Sequence, residues 1–224
     1  MSKRVFIEFY FDVLSPYAWI GFEALARYQP VWDVDVRWRP FFMGGLFKDT
    51  GNKGIMLQAA AKKQFFFTDL AHLAKYYGIP LIQPKDADEA MIKHGSLRAQ
   101  RFLTLLDAQH RPLVKPAARE FWLRRYSRDQ DIHLNENIIE VARTVGLSNK
   151  ITENIMEQLD HNDTKKQLLS ATEEARASGA FGAPWINVHT PDGQVHSFWG
   201  SDRFHIIAHL IGQPFPGPLR NSAQ

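Results

Sequence analysis

The sequence "FYFDVLSPYAWIGFEALARYQ" joins an apolar run to an amphipathic run through Ser15 and Pro16. Ser is a favoured N-cap residue and Pro a favoured first helical residue, so one interpretation is a plain helix start. The N–H groups and dipole of a helix start also favour an anion, and a Ser hydroxyl there can donate to a thiolate. The chain has no Cys, so it cannot cycle a Cys pair, and any thiol must come from a ligand.

Two other stretches carry polar side chains that suit a ligand. "WGSDRF" places Ser201 and Asp202 at a predicted helix start, where N–H groups would bind a carboxylate and Asp202 an amine. "KDTGNKG" contains Asn52, which offers a donor and an acceptor, and Lys62 follows. Taken singly, these residues are explained as well by a helix cap, an ordinary loop and a solvated charge.

A metal centre is not predicted. His205 and His209 are four residues apart on the predicted last helix, which is a spacing used in metal sites. The sequence around them offers no evident third ligand, so we expect no metal there.

The elements that must position these residues follow from local patterns. Val, Ile and aromatic runs predict strands, and helical periodicity with Ser, Pro or Asn starts predicts helices. Pro-Asp-Gly turn chemistry within "HTPDG" separates two late strands. The predicted order is a strand at 5–13, a helix after Ser15, a strand at 34–40, a Gly-rich loop at 41–54, helices from 62 to 179, the two late strands, and a last helix capped by Ser201 or Asp202.

This order is typical of an α/β, thioredoxin-like fold with an inserted all-helical domain. We predict a discontinuous thioredoxin-like domain at residues 1–60 and 180–224 and a helical insertion at 61–179. Pro184 precedes a late strand, which is the usual place of a cis proline in this fold. We therefore predict a cis Ala183–Pro184 bond, with the backbone of residue 183 facing Ser15.

Composition limits the function classes. The 224 residues are 45% hydrophobic, which suits one large domain or two intimate ones. The formal charge is only +3 and no Lys/Arg block occurs, so nucleic-acid binding is not indicated. No apolar run approaches the ~20 residues of a membrane span, and neither end carries a legible targeting signal.

Six segments together resemble kappa-class glutathione transferases, in the family's order and over nearly the whole chain. They are "FYFDVLSPYAWIGFEALARYQ", "KDTGNKG", "GSLRAQRFLT", "REFWLRRYSRDQDI", "GAFGAPWINV" and "FWGSDRFHIIAHLIG". The resemblance implies a DsbA-like thioredoxin fold, a homodimer, and glutathione as co-substrate without a prosthetic group. It also implies conjugation to a small hydrophobic electrophile, hydroperoxide reduction as a side activity, and a mitochondrial or peroxisomal location.

The resemblance assigns roles at the thiol end of glutathione. Ser15 matches the serine that hydrogen-bonds the sulfur, and Pro16 and Tyr17 adjoin it in the same motif. Ala183, before Pro184, matches the residue whose backbone pairs with the cysteinyl part. A larger apolar residue is common at position 183 in the family, but backbone pairing should survive the change to Ala.

The resemblance also assigns the two ends of the tripeptide. Ser201 and Asp202 match residues that hold the γ-glutamyl end, and Asn52 and Lys62 match positions near the glycyl end. Gly54 stands where proline is frequent in the family, so this segment is expected to be more mobile.

Two alternatives stay open. The bacterial 2-hydroxychromene-2-carboxylate isomerases resemble the chain in fold, glutathione use and the "SPY" helix start, although "KDTGNK" and "GSDR" look more like the transferase. A glutathione-binding or scaffold protein without turnover is the other alternative. The presence of Ser15, Asn52, Ser201 and Asp202 argues against it.

Overall fold

The computed structural model describes residues 4–219, apart from the side chain of residue 90. Four strands form one sheet in the order β2-β1-β3-β4. Strand β1 pairs in parallel with β2 and antiparallel with β3, and β3 pairs antiparallel with β4. The strands are β1 (Phe6–Phe11), β2 (Asp35–Pro40), β3 (Trp185–His189) and β4 (Val195–Trp199).

Helices surround the sheet and fill the segment between β2 and β3. They are α1 (Pro16–Trp32), α2 (Met43–Thr50), α3 (Ala60–Tyr77), α4 (Leu97–Gln109), α5 (Val114–Ser127), α6 (Asn135–Thr144), α7 (Asn149–Gln158), α8 (Asn162–Ala177) and α9 (Phe204–Leu210). A π-helical segment at Glu89–His94 precedes α4, and short 3₁₀ turns lie at Ile55–Leu57 and Arg111–Leu113. None of the described helices is long and apolar enough to cross a membrane.

The central strand is buried on both sides because it lies between two neighbours and under α1. Ile7, Phe9 and Phe11 are fully buried, which explains the nearly continuous apolar run. The Phe9 ring packs edge-on against the rings of Phe22 and Trp38. This packing fixes α1 on the sheet, so the residues at the β1–α1 junction have a defined position.

The predicted order of elements is confirmed: strand–helix–strand, a helical block, then two strands and a helix. Within the described residues, no strand lies between 41 and 184. The predicted domain boundaries at residues 60 and 180 stay a prediction.

The loop predicted at 41–54 is wrong in its first part, because Met43–Thr50 forms α2. The Met43 N–H at its start donates to the Asp12 carboxylate at 2.9 Å, so a residue from β1's end caps the helix. The Phe42 ring occupies the space that side chains at Gly44 and Gly45 would need, which explains two glycines at the start of this helix. A cap from a distant segment leaves no mark in the local sequence.

The predicted cap of the last helix is also wrong. Helix α9 begins at Phe204 with Arg203 as its N-cap, and neither Ser201 nor Asp202 caps it. Both residues lie in the connection between β4 and α9, where the Gly200 N–H donates to the Pro184 carbonyl at 3.1 Å. This bond draws the connection toward the start of β3.

Candidate active site

Ser15 sits at the junction between β1 and α1 and is almost fully buried. Its hydroxyl oxygen accepts the Ala18 N–H at 3.1 Å, as expected of an N-cap. The same hydroxyl donates to the Ala183 carbonyl, also at 3.1 Å. One oxygen therefore caps the helix while its single proton is held by the residue before Pro184.

The Ala183–Pro184 bond is cis and the Ala183 carbonyl faces Ser15, as predicted. The first turn of α1 has few free donors, since Pro16 lacks an N–H and the Trp19 N–H donates to the Ser15 carbonyl. The Ala18 N–H donates to the Ser15 hydroxyl. The Tyr17 N–H is therefore the one donor of the first turn that none of these bonds uses. An anion at this helix start depends on that N–H and on the Ser15 hydroxyl.

Side chains from the helical segment hold the backbone of the Ser15 junction. The Trp122 indole N–H donates to the Ser15 carbonyl at 3.2 Å, and the Tyr126 hydroxyl donates to the Leu14 carbonyl. Gln100 accepts the Val13 N–H at 3.3 Å. Sequence reasoning missed these positioning residues, because each lies at least 87 positions from its partner.

Asp12 completes this arrangement and is fully buried. Its carboxylate accepts the N–H groups of Leu14 and Met43, each at 2.9 Å, so it ties the start of α1 to the start of α2. Burial raises the pKa of Asp12 to about 6, although these backbone donors favour the charged form. Asp12 was not singled out from the sequence, where an Asp after a strand is an ordinary turn residue.

We expect Asp12→Asn to flatten the pH dependence of stability in mildly acid solution. A buried acid whose pKa is raised to about 6 binds more protons in the folded state than in the unfolded state. This group's contribution to the free energy of unfolding therefore falls as pH rises from about 4 to about 6, by roughly 2–3 kcal/mol, and is level above that.

Urea unfolding of both proteins between these pH values measures the difference. Asp49→Asn is the matched control, since Asp49 is exposed near the end of α2. Equal pH slopes in the Asp12→Asn protein and the wild type would contradict the assignment.

A cavity of about 840 Å³ opens beside Ser15. Ser15, Pro16, Tyr17 and Ala183 line one end. The rest is mostly apolar, and several of its large side chains are exposed to solvent. The apolar lining includes Met43, Phe47, Ile55, Met56, Leu57, Phe65, Phe66, Met91, Ile92, Phe181 and Trp199.

Tyr17 is turned toward α3. Its hydroxyl donates to the Asp69 carboxylate at 2.6 Å, and its ring packs edge-on against Phe66. Burial, and then this hydrogen bond, raise the pKa of Tyr17 well above its usual value. Because the hydroxyl stays protonated and is bound to Asp69, Tyr17 offers its backbone N–H and ring edge to the cavity rather than an acid or base.

Asn52 and Lys62 also line the cavity. The Asn52 amide donates to the Phe181 carbonyl at 2.7 Å and accepts the Gly54 N–H at 2.9 Å, so it fastens its loop to the segment before Pro184. Lys62 is exposed on α3, and Lys53 lines the same region. Among the described residues, no carboxylate is within ion-pairing distance of either lysine.

The described residues that line this cavity do not include Ser201 or Asp202. Ser201 is buried, and the exposed Asp202 pairs with Arg203 at 3.3 Å. Burial and then Asp69 raise the pKa of Tyr17, and the negative charge of Asp202 adds to this effect. The structure thus brings Ser15, Pro16, Tyr17, Asn52, Lys62 and Ala183 around one cavity, with Pro184, Ser201 and Asp202 beside it.

Comparisons with known proteins agree with this fold. The model of the DSBA-like thioredoxin domain matches residues 6–212, so the chain is a thioredoxin-fold protein that carries Ser at the helix start. It is 40% identical to human "Glutathione S-transferase kappa 1" over 215 residues, covering 95% of this chain and 93% of the relative. It is 41% identical to the Caenorhabditis elegans protein of the same name over 221 residues, covering 98% and 96%.

A solved 2-hydroxychromene-2-carboxylate isomerase has the same fold, with a TM-score of 0.72, 20% identity, and coverage of 92% of this chain and 94% of that one. The much higher identity to the transferases decides the assignment. The chain belongs to the kappa class of glutathione S-transferases and is a glutathione transferase enzyme.

Proposed function

We propose that Ser15 holds the sulfur of glutathione as a thiolate, which attacks a small hydrophobic electrophile in the adjacent cavity. The observation that carries this proposal is the Ser15 hydroxyl, buried at a helix start and at the end of an open apolar cavity. The reaction forms a bond between the sulfur and the electrophilic carbon. In a substitution the bond from that carbon to a leaving group such as chloride breaks; in an addition the π pair of a double bond moves to a neighbouring atom, which takes a proton from solvent. The thiol proton leaves to solvent when glutathione binds as the thiolate.

The Ala183 carbonyl couples ligand binding to this activation. In the free protein the Ser15 proton is held by that carbonyl at 3.1 Å. The same carbonyl can accept the cysteinyl N–H of glutathione, because a carbonyl oxygen has two lone pairs. When it does so, the Ser15 hydroxyl can turn to the sulfur without leaving Ala183 unpaired, while its oxygen still accepts the Ala18 N–H.

The free energies of these interactions are large enough to lower the pKa of the bound thiol. A free thiol has a pKa of about 8.5, and lowering it by about two units requires about 2.7 kcal/mol. A hydrogen bond to a charged group is worth about 1.5–3 kcal/mol, less the neutral bond of about 0.5–1.5 kcal/mol that Ser15 gives up. The helix N-terminus adds about 0.3–1 kcal/mol. The Tyr17 N–H supplies a second charge-assisted bond, so no general base is required.

Apolar, partly exposed side chains make the cavity suitable for the electrophile. Phe65, Phe181 and Trp199 are 67%, 41% and 49% exposed, although they are large and aromatic. Covering them with an apolar ligand would remove that surface from water, at about 25 cal/mol per Å². An electrophile of low polarity therefore fits the wall next to Ser15.

The glycyl carboxylate of glutathione is proposed to lie against Lys62 and Lys53. We expect Lys62→Ala to raise the KM for glutathione about two- to fivefold with little change in kcat, because an exposed ion pair contributes about 0.3–1 kcal/mol. Steady-state kinetics at low and high salt measure this. Lys48→Ala, on the exposed face of α2, is the control. An equal effect with both variants, or an undiminished effect with a glycyl-amide analogue, would contradict this placement.

Assays with chlorodinitrobenzene and with 2-hydroxychromene-2-carboxylate separate the candidate reactions. Conjugation without isomerisation is the expected result. Isomerisation at a higher rate would favour the isomerase, and glutathione binding without either reaction would favour a scaffold. We further propose hydroperoxide reduction as a side activity, in which two glutathione thiols are oxidised to the disulfide while the hydroperoxide is reduced to an alcohol and water. A coupled peroxide assay measures it.

A homodimer and a mitochondrial or peroxisomal location are also proposed, on the resemblance alone. Sedimentation at micromolar concentration tests the dimer. Cell fractionation of the tagged protein tests the location.

A further inference from the structure

A cluster of two histidines and one aspartate lies apart from the Ser15 cavity. His94 ends the π-helical segment, and Asp131 and His133 lie between α5 and α6. One ligand atom from each lies within 4.8 Å of the others. The two imidazole rings stack, with centroids 3.9 Å apart and an angle of 22° between the planes. We infer that this cluster is a binding site for a divalent transition metal such as Zn²⁺.

Two unsatisfied ring nitrogens point to a metal. The Nδ1 atoms of His94 and His133 are both buried, and neither has a hydrogen-bond partner. Buried polar atoms without a partner are rare in folded proteins and indicate an absent ligand, water or ion. Both atoms lie near one carboxylate oxygen, Asp131 Oδ1, at 3.4 Å for His94 and 3.8 Å for His133, and neither makes a hydrogen bond with it.

The separations suit a shared metal better than direct hydrogen bonds. An N–H···O bond prefers about 2.9–3.0 Å between the heavy atoms. Bonds of about 2.0–2.2 Å to a tetrahedral Zn²⁺ put the ligand atoms about 3.3–3.5 Å apart. The 3.4 Å between His94 Nδ1 and Asp131 Oδ1 matches this separation, and the 3.8 Å between His133 Nδ1 and the same oxygen exceeds it. Two imidazoles and a carboxylate, with a fourth position for water, form a known ligand set for Zn²⁺.

The surroundings support metal binding and also limit its strength. The other ring nitrogen of His94, Nε2, lies 3.7 Å from Glu89 Oε1, so a carboxylate of the kind that orients metal-bound imidazoles is near it but beyond hydrogen-bond distance. Arg125 opposes a cation, because its Nη1 lies 3.6 Å from Asp131 Oδ1. Its contact with the Gln130 carbonyl gives the guanidinium another partner.

The site would connect two parts of the molecule. Met91 and Ile92, in the π-helical segment that His94 ends, line the cavity. Asp131 follows α5, which carries Trp122 and Tyr126. A metal would therefore fasten one wall of the cavity to the helix that holds the Ser15 backbone.

The test titrates Zn²⁺ into the EDTA-treated, dialysed full-length protein by calorimetry, with Co²⁺ absorption reporting the coordination. We expect about one metal ion per chain, and at least tenfold weaker binding in His94→Ala and in His133→Ala. The control is the double variant His205→Ala/His209→Ala, whose exposed histidines lie on α9 and which should bind like the wild type. Hydrogen exchange of the 89–94 amides should slow with Zn²⁺ in the wild type and in this control, but not in His94→Ala or His133→Ala.

Circular dichroism checks the fold of each variant. If His94→Ala is misfolded, His94→Gln keeps a polar side chain there and should still bind at least tenfold more weakly. The inference is overturned if the wild type binds no metal. It is also overturned if folded His94 and His133 variants bind as tightly as the wild type.

Discussion

Replacing Ser15 by Ala is expected to slow glutathione conjugation about tenfold near neutral pH. The substitution removes the proton that would go to sulfur, and the pKa of the bound thiol should rise by about one unit, since one unit equals 1.36 kcal/mol. The rate should partly recover in alkaline solution, where the thiol ionises without help. Glutathione affinity should change less, because the Ala183 backbone and the lysines remain. Rates between pH 6 and pH 9 measure the effect.

The matched control is Ser148→Ala. Ser148 caps α7 by accepting the Ile151 N–H at 3.3 Å, and it does not line the cavity. Both substitutions should lower the free energy of unfolding by about 1 kcal/mol, which is the usual loss for an N-cap. Only Ser15→Ala should slow the reaction. A pH–rate profile of Ser15→Ala identical to that of Ser148→Ala would leave Ser15 a structural cap.

Replacing Gln100 by Met is expected to cause the largest loss of stability, about 3–5 kcal/mol. Gln100 is fully buried and serves three backbone groups: its amide donates to the carbonyls of Phe11 at 2.9 Å and Phe41 at 2.7 Å, and its oxygen accepts the Val13 N–H at 3.3 Å. Met has nearly the same volume but leaves the Phe41 carbonyl and the Val13 N–H unpaired, whereas the Phe11 carbonyl still accepts the Phe41 N–H at 3.1 Å. Each of the two unpaired groups costs about 1–3 kcal/mol.

Urea unfolding measures this loss, and Gln109→Met is the control. Gln109 lies on the same helix, and its exposed amide donates to Gln158 at 2.9 Å. The control should change stability by less than about 0.5 kcal/mol. Gln100→Met should also slow conjugation in the folded fraction, because Val13 leads into the Ser15 junction. A loss of less than about 1 kcal/mol would mean that water or another side chain satisfies these backbone groups.

Local sequence patterns were sufficient to predict the order of strands and helices and part of the site. Strands β1 and β2, the turn before β4 and the helical block follow from apolar periodicity and turn residues, which are properties of short segments. Ser15 and Pro184 were found for a similar reason, because each stands at the boundary of a predicted element. Their mutual contact through Ala183 was expected from the thioredoxin-like order of elements.

The features that the sequence did not predict all depend on contacts between segments that are far apart in the chain. Helix α2 is capped by Asp12, 31 positions away, so its Gly-rich start looked like a loop. The anchors Gln100, Trp122 and Tyr126 are ordinary residues of amphipathic helices until the fold brings them to the β1–α1 junction. The histidine–aspartate cluster escaped notice because His94 and His133 have no local ligand spacing, whereas His205 and His209 do.

Ultraviolet difference titration of glutathione bound to the wild-type enzyme tests thiolate activation by Ser15 most directly. Thiolate absorbs where thiol does not, so the signal gives the pKa of the bound sulfur in the absence of any electrophile. Activation predicts a value about two units below the ~8.5 of a free thiol, and a rise of about one unit in Ser15→Ala. A bound sulfur that titrates like free glutathione, or the same lowered pKa in folded Ser15→Ala, would contradict it.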